Sequence, residues 1–202
     1  MIPLFRFLTT VLFIGSLSTS LSLARSPQKS DRSADSPKIE VNLIVPTKVI
    51  KSGGGLHLMV RITNVSGSSL ILPNGFGIDR GADAYLDLEI MNAKGELSPK
   101  MQLHGDWFPP TDKPNKLSSL MTSWLVLHPK SSITFDLWIR PGLFDFLGKR
   151  GSYTISGYFS AHPISDPIVL GRLGLTAEEA ESIPFRSWAG KMSTNQIKIS
   201  IN

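Results

Sequence analysis

The chain contains no cysteine, so it has no disulfide, no thiolate metal ligand and no thiol nucleophile. Charge is sparse. Asp, Glu, Lys and Arg make up 18% of 202 residues, against roughly 25% in an average soluble protein. The formal net charge is +5, yet the basic residues are scattered. No run of five occurs, and none alternates with aromatics along one strand, so a clustered nucleic-acid footprint is absent. Heptads, internal repeats and a G-x-Y period are missing too. With 41% apolar residues, a coiled coil, a collagen, a disulfide scaffold and a mostly disordered chain are all excluded.

Catalytic and cofactor signatures are equally scarce. There is no G-x-S-x-G, no H-E-x-x-H and no phosphate-binding glycine loop. Gly53, Gly54 and Gly55 precede a strand pattern rather than a helix, so they cannot aim helix amides at a phosphate. Ser26 and Lys29 match an S-x-x-K acylase pattern only inside a polar tether, where the pocket and helix start of that chemistry are missing. No cofactor site and no catalytic residue is expected. A hydrolase whose Ser, His and Asp are dispersed along the chain is the reading that one sequence leaves open.

What is present begins with an address. Arg6 precedes an apolar run at 7–17, and Ser22 and Ala24 put small residues at −3 and −1 of a cleavage point. Residues 1–24 are therefore expected to be a secretory signal peptide. The rival reading is an uncleaved anchor. A spanning helix needs about 20 strongly apolar residues, and extending this run brings in Ser16, Ser18, Thr19, Ser20 and Ser22. Cleavage removes Arg6 and leaves no stable membrane span. A secreted or periplasmic bacterial setting is expected, because an exported chain without cysteine must rely on its core alone. Residues 25–37 hold a single apolar residue, Ala34, and are expected to be a flexible linker.

From Lys38 onward the hydrophobic period is two. Apolar residues alternate with polar ones through 38–45, 56–63, 84–91, 133–140, 153–160 and 197–202. One wet and one buried face is the pattern of antiparallel sheets. Turn signals separate the runs at 52–55, 64–67, 92–95, 128–131 and 149–151. Less regular strands are expected at 69–72 and 119–127. Residues 141–147 are long enough for one helical turn. Thr176 and Glu179 form a capping box for one short helix near 176–183, which Pro184 ends. Residues 38–202 are thus expected to form an all-β, antiparallel β-sandwich of about eight strands.

Gly151-Ser152-Tyr153-Thr154-Ile155 opens a late strand and is similar to strand F of immunoglobulin-like sandwiches, where a Tyr bonds the backbone upstream. Ile155 takes the position that a cysteine holds in antibody domains. The run 128–161 resembles the E–F hairpin of a bacterial secreted immunoglobulin-like domain. The tail from Ser187 to Ile201 resembles the closing strand of such domains. The middle of the chain, with Ile62-Thr63-Asn64-Val65, Leu70-Ile71-Leu72 and the late G-x-Y, is similar to the intracellular proteinase inhibitor family. These resemblances imply a fold. No inhibitory motif maps onto these residues, so a protease-inhibitor-like domain is kept as an alternative.

Each candidate site has a plainer rival. His57, His104, His128 and His162 lack metal-ligand spacing, so no metal site is expected. Asp87 and Glu89 share one strand face about 7 Å apart, which suits a solvated face better than a cleft. Residues 79–83 resemble a fragment of a calcium loop without ligands at its third or twelfth position. Asn64-Val65-Ser66 is a glycosylation sequon only in a eukaryote and reads more simply as a turn. The best binding candidate is the loop with Asp106, Trp107 and Phe108. Exposed aromatics there would anchor a partner; otherwise they cap the sandwich. Arg186 and Trp188 in the connection 162–192 pose the same choice. Trp138 falls on the wet face of its strand, either in cross-strand packing or in a contact surface. The functional expectation is an exported, non-enzymatic binding module of the cell envelope. Its partner would be an envelope protein or polysaccharide, not nucleic acid.

Overall fold

A computed structural model describes residues 37–74, 76–77, 83–98 and 124–202. The alternating runs are strands. β1 (Ile39–Ile44), β3 (Leu56–Asn64) and β7 (Ser132–Ile139) form one antiparallel sheet in the order β1-β3-β7. β5 (Ala84–Asn92) and β8 (Gly151–Ala161) pair antiparallel along nine residues in a second sheet. On its other edge β8 pairs with β11 (Ile197–Ile201) and then with β10 (Gly190–Ser193). The two-residue β2 (Val49–Ile50) closes that sheet by a parallel pairing with β11. β1 thus pairs with β3 over all six of its residues, and the chain then crosses to the other sheet, where β2 pairs with β11.

The inward side chains of the two sheets meet in a single core. Leu58, Val60 and Ile62 of β3 face the same cluster as Leu86, Leu88 and Ile90 of β5 and Ile155 and Phe159 of β8, all buried to 1% or less. Burying each such side chain contributes about 1.5–3 kcal/mol. Two sheets packed on their apolar faces, with the chain crossing from one edge to the other between β1 and β2, make an immunoglobulin-like antiparallel β-sandwich. Among the described residues there are eleven strands against the eight or so expected, because three of them, two to four residues long, are too short to show a period.

Tyr153 donates its hydroxyl hydrogen to the Lys149 carbonyl at 3.0 Å, the corner bond expected from the Gly151–Ile155 run. The rings of Phe146 and Tyr153 lie 5.2 Å apart. Phe146 belongs to a 3-10 turn, Asp145–Gly148, that plugs one end of the sandwich. The expected E–F hairpin is not one: β7 pairs with β3, and β8 pairs with β5, β10 and β11. The connection crosses between sheets, because the buried turn of Phe144, Phe146 and Leu147 fills the gap that a hairpin would close.

Between Ser193 and Ile197 the closing strand breaks. Thr194 donates its N–H to the Gly157 carbonyl, and Asn195 reaches across to β1. Its Oδ1 accepts from the Leu43 N–H at 2.6 Å, and its Nδ2 donates to the Leu43 carbonyl at 3.1 Å. One side-chain amide thereby does the work of a strand partner.

A smaller sheet stands beside the sandwich. β4 (Leu70–Pro73) pairs antiparallel with β6 (Trp124–Leu127) and parallel with β9 (Arg186–Ser187). Two helices cover it: α1 (Pro167–Leu173) and α2 (Ala177–Glu181). Thr176 and Glu179 cap α2 as a reciprocal box. α1 was not foreseen, although Asp166 caps it, Pro167 starts it and a left-handed Gly174 ends it. Ile71, Trp124, Ile164, Val169, Leu173 and Ala180 form the second core beneath them. Asn64 is fully buried. Its Nδ2 donates to the carbonyls of Ser68 and Leu127, and its Oδ1 accepts from the Ser66 N–H. An amide so engaged cannot carry a glycan. No helix among the described residues is long and apolar enough to cross a membrane.

Candidate functional site

Asp106, Trp107 and Phe108 lie outside the described residues. The second pair of candidates is accounted for. Arg186 is half-buried in β9, opposite Leu70. Trp188 is 5% exposed, its ring stacked on Phe159 with centroids 5.7 Å apart. Its backbone N–H donates to the Ile71 carbonyl at 3.1 Å. The short pairing with β4 turns the next side chain inward, so Trp188 is part of the main core and presents no ring to a ligand.

The titratable candidates are dispersed. Asp87 and Glu89 are half-buried on the outer face of β5, opposite Tyr158 and Ser156. Of residues 79–83, only Asp83 is described. Its Oδ1 meets the Arg172 Nη2 of α1 at 2.8 Å. Burial holds the Asp83 carboxyl above its ordinary range, outweighing the charges of Arg172 and His162 that pull it down; Asp166 adds to the rise. His162 contacts Asp166 at 3.3 Å, and His128 meets the Ser69 hydroxyl at 3.0 Å. His104 lies outside the described residues. Among those described, no three His, Asp or Glu side chains are grouped as metal ligands would be.

The outer face of the β1-β3-β7 sheet carries what sequence reasoning left undecided. Trp138 is 58% exposed, opposite His57 in the ladder. The two rings are 5.9 Å apart and tilted by 42°. His57 Nε2 lies 2.7 Å from Asp136 Oδ1, one pleat along β7. The ring also passes close over Gly55: a Cβ there would stand 2.7 Å from Cζ2 and 2.9 Å from Nε1. Glycine at that point admits the indole against backbone. His57 and the Gly55 backbone thus seat the exposed ring from the neighbouring strand, and Asp136 of β7 holds His57. The adjoining rows are Ile44, Met59 and Asp136, then Asn42, Arg61 and Thr134, then Glu40, Thr63 and Ser132. Trp138 and His57 each signalled a wet strand face, but their partnership across strands depends on a register that spacing alone does not give.

The opposite outer face holds a half-open groove of about 650 Å³. Ser152 and Thr154 line it with Met91 and Asn92 on one side and Lys48, Lys198 and Ser200 on the other. Further along this face Lys191 Nζ sits 3.9 Å from the centre of the Tyr158 ring, a cation–π contact.

The architecture defines the class: an immunoglobulin-like β-sandwich with an aromatic exposed on one sheet. No protein-family model matches the chain, and no curated protein does. Solved structures align with the chain at low similarity. The CARDB domain of a Pyrococcus furiosus protein, solved in complex with di-metal ions, is 10% identical with a TM-score of 0.34, over 82% of this chain and 93% of that one. The PapD-like domain 7 of human CEP192 is 11% identical with a TM-score of 0.30, over 92% and 96%. A β-glucosidase from Listeria innocua in complex with glucose is 9% identical with a TM-score of 0.33, and the chain spans only 16% of it.

Proposed function

We propose that the protein is an exported, non-enzymatic binding module of the cell envelope, and that its recognition surface is the outer β1-β3-β7 face around Trp138. Export rests on the signal pattern of residues 1–24. The observation that carries the binding reading is Trp138 itself. A tryptophan held open on a sheet, while the other described tryptophans, Trp124 and Trp188, are each 5% exposed, forgoes the burial that normally stabilises such a ring. Large exposed aromatics are the residues that anchor contacts. Gly55, His57 and Asp136 fix its orientation before any ligand arrives, which lowers the ordering cost of binding. The test is capture from the envelope fraction of the source organism with the purified protein as bait and the Trp138→Ala protein as control. A component retained by the first and lost by the second is expected. Identical captures, or none, would overturn the assignment.

A further inference from the structure

The face around Trp138 has a chemistry that selects among ligand classes. We infer that it binds a neutral polysaccharide, laid flat across β1, β3 and β7 with one sugar ring on the indole. This rests on the binding-module reading above and names its ligand. Three observations carry it.

The first is the ring and its edge. A sugar offers a C–H face bounded by hydroxyls, so it needs a flat apolar platform with hydrogen-bonding groups beside it. Trp138 is the platform. His57 and Asp136 stand at its edge, joined at 2.7 Å, with Asp136 71% exposed at its side chain. Only Oδ1 of that carboxylate is engaged by His57, which leaves acceptor capacity for hydroxyl donors. The pair holds its own geometry, as a hydroxyl-binding pair must.

The second is composition. A protein partner of ordinary size covers roughly 800 Å² per side around an apolar centre. Here, among the described residues, the outward apolar side chains of the three strands besides Trp138 are the half-buried Ile44 and Met59, and every other outward position of these strands is polar or charged. That is too little apolar surface for a protein-type core and enough for a sugar ring.

The third is charge. The outward charges are Glu40 and Asp136 against Arg61, with the exposed Arg140 just past the end of β7. They balance. A nucleic acid or an acidic polymer requires a basic track, and this face has none. The face is also a strand surface rather than a pocket, which suits a chain running across it more than an enclosed small sugar.

The experiment is affinity gel electrophoresis of the purified protein in gels containing barley β-glucan, hydroxyethyl cellulose, xylan or glycol chitin, with alginate as the polyanionic control. Indole fluorescence is followed in parallel titrations. Retardation by at least one neutral polymer is expected, with a change in indole emission. Trp138→Ala should weaken that binding at least tenfold with an unchanged circular dichroism spectrum, and Trp138→Phe should retain part of it. Gly55→Ala keeps the indole but forces it off its seat, so binding should weaken there too, although the ring is still present. Retardation by alginate alone, retardation unchanged in Trp138→Ala, or no retardation by any polymer would each overturn the sugar assignment. The envelope capture then separates the two readings. A protein captured and lost with Trp138→Ala leaves the binding module standing without the polysaccharide, and an empty capture removes both.

Discussion

Trp138 lies within the long strand β7 and Trp188 directly after the two-residue β9, and the fold treats them in opposite ways. Trp188 is stacked on Phe159, tied through its backbone N–H to β4, and buried in the main core. Trp138 is on a long regular strand and stays open. The difference is one of direction. A strand with one face in the core sends every second side chain to water whatever its chemistry. A two-residue strand such as β9 imposes little, so the following residue turns to wherever apolar surface is available. Regularity exposes one ring, and irregularity buries the other.

That contrast can be broken by substitution. Trp188→Ala should cost about 3–5 kcal/mol, the usual cost of truncating a buried aromatic, read as a drop in the urea midpoint. A loss under 1 kcal/mol would show that the connection carrying it is loosely held. Gly157→Ala strikes the strand beneath the stack. A Cβ there would stand 2.4 Å from the Asp87 carbonyl oxygen, and because the obstacle is backbone rather than a side chain, about 1–3 kcal/mol of overpacking strain is expected. Tyr153→Phe removes the corner bond to Lys149 and should cost about 1 kcal/mol by thermal or chemical denaturation.

A gentler test addresses how the helical connection is fastened. Asp83 is paired with Arg172 of α1, and its carboxyl binds its proton more tightly in the folded protein than in the unfolded chain. Its contribution is therefore fully present below its ordinary value of 3.8 and is lost as pH rises through the higher folded value. The stability of the natural protein relative to Asp83→Asn should fall across that window. Parallel pH profiles for the two proteins would contradict this. At the far end of the scale, Trp138→Ala should change stability by no more than about 0.5 kcal/mol, as surface substitutions do, while removing binding. A large loss of stability would make Trp138 a packing residue and erase the contrast with Trp188.

How much of this could be read from residues alone depended on periodicity. The six alternating runs are all strands, and the Thr176–Glu179 box does start a helix. The Tyr153 corner was legible because one tyrosine two residues before a core position has few other uses. α1 was missed, since Gly171 and the β-branched Ile168 and Val169 weaken helix propensity, even though its caps are standard. β10 was merged into one closing strand, because nothing local announces that Asn195 will leave the ladder for Leu43. The site was half visible. Trp138 and His57 each fell on a wet face, but Gly55 read as turn punctuation and Asp136 as an ordinary outward charge. Their assembly is set by the β3-β7 register, a long-range property that no local window contains.

The Asn195 clamp bears on the company this protein can keep. An outer strand normally offers a row of free donors and acceptors, and any passing extended chain can zip onto it. At Leu43 both groups are already spent on a side-chain amide. A second molecule approaching that margin meets a blunt end where a template would otherwise be. A single asparagine thus blunts one sheet margin against edge-to-edge pairing, at the cost of a break in a strand.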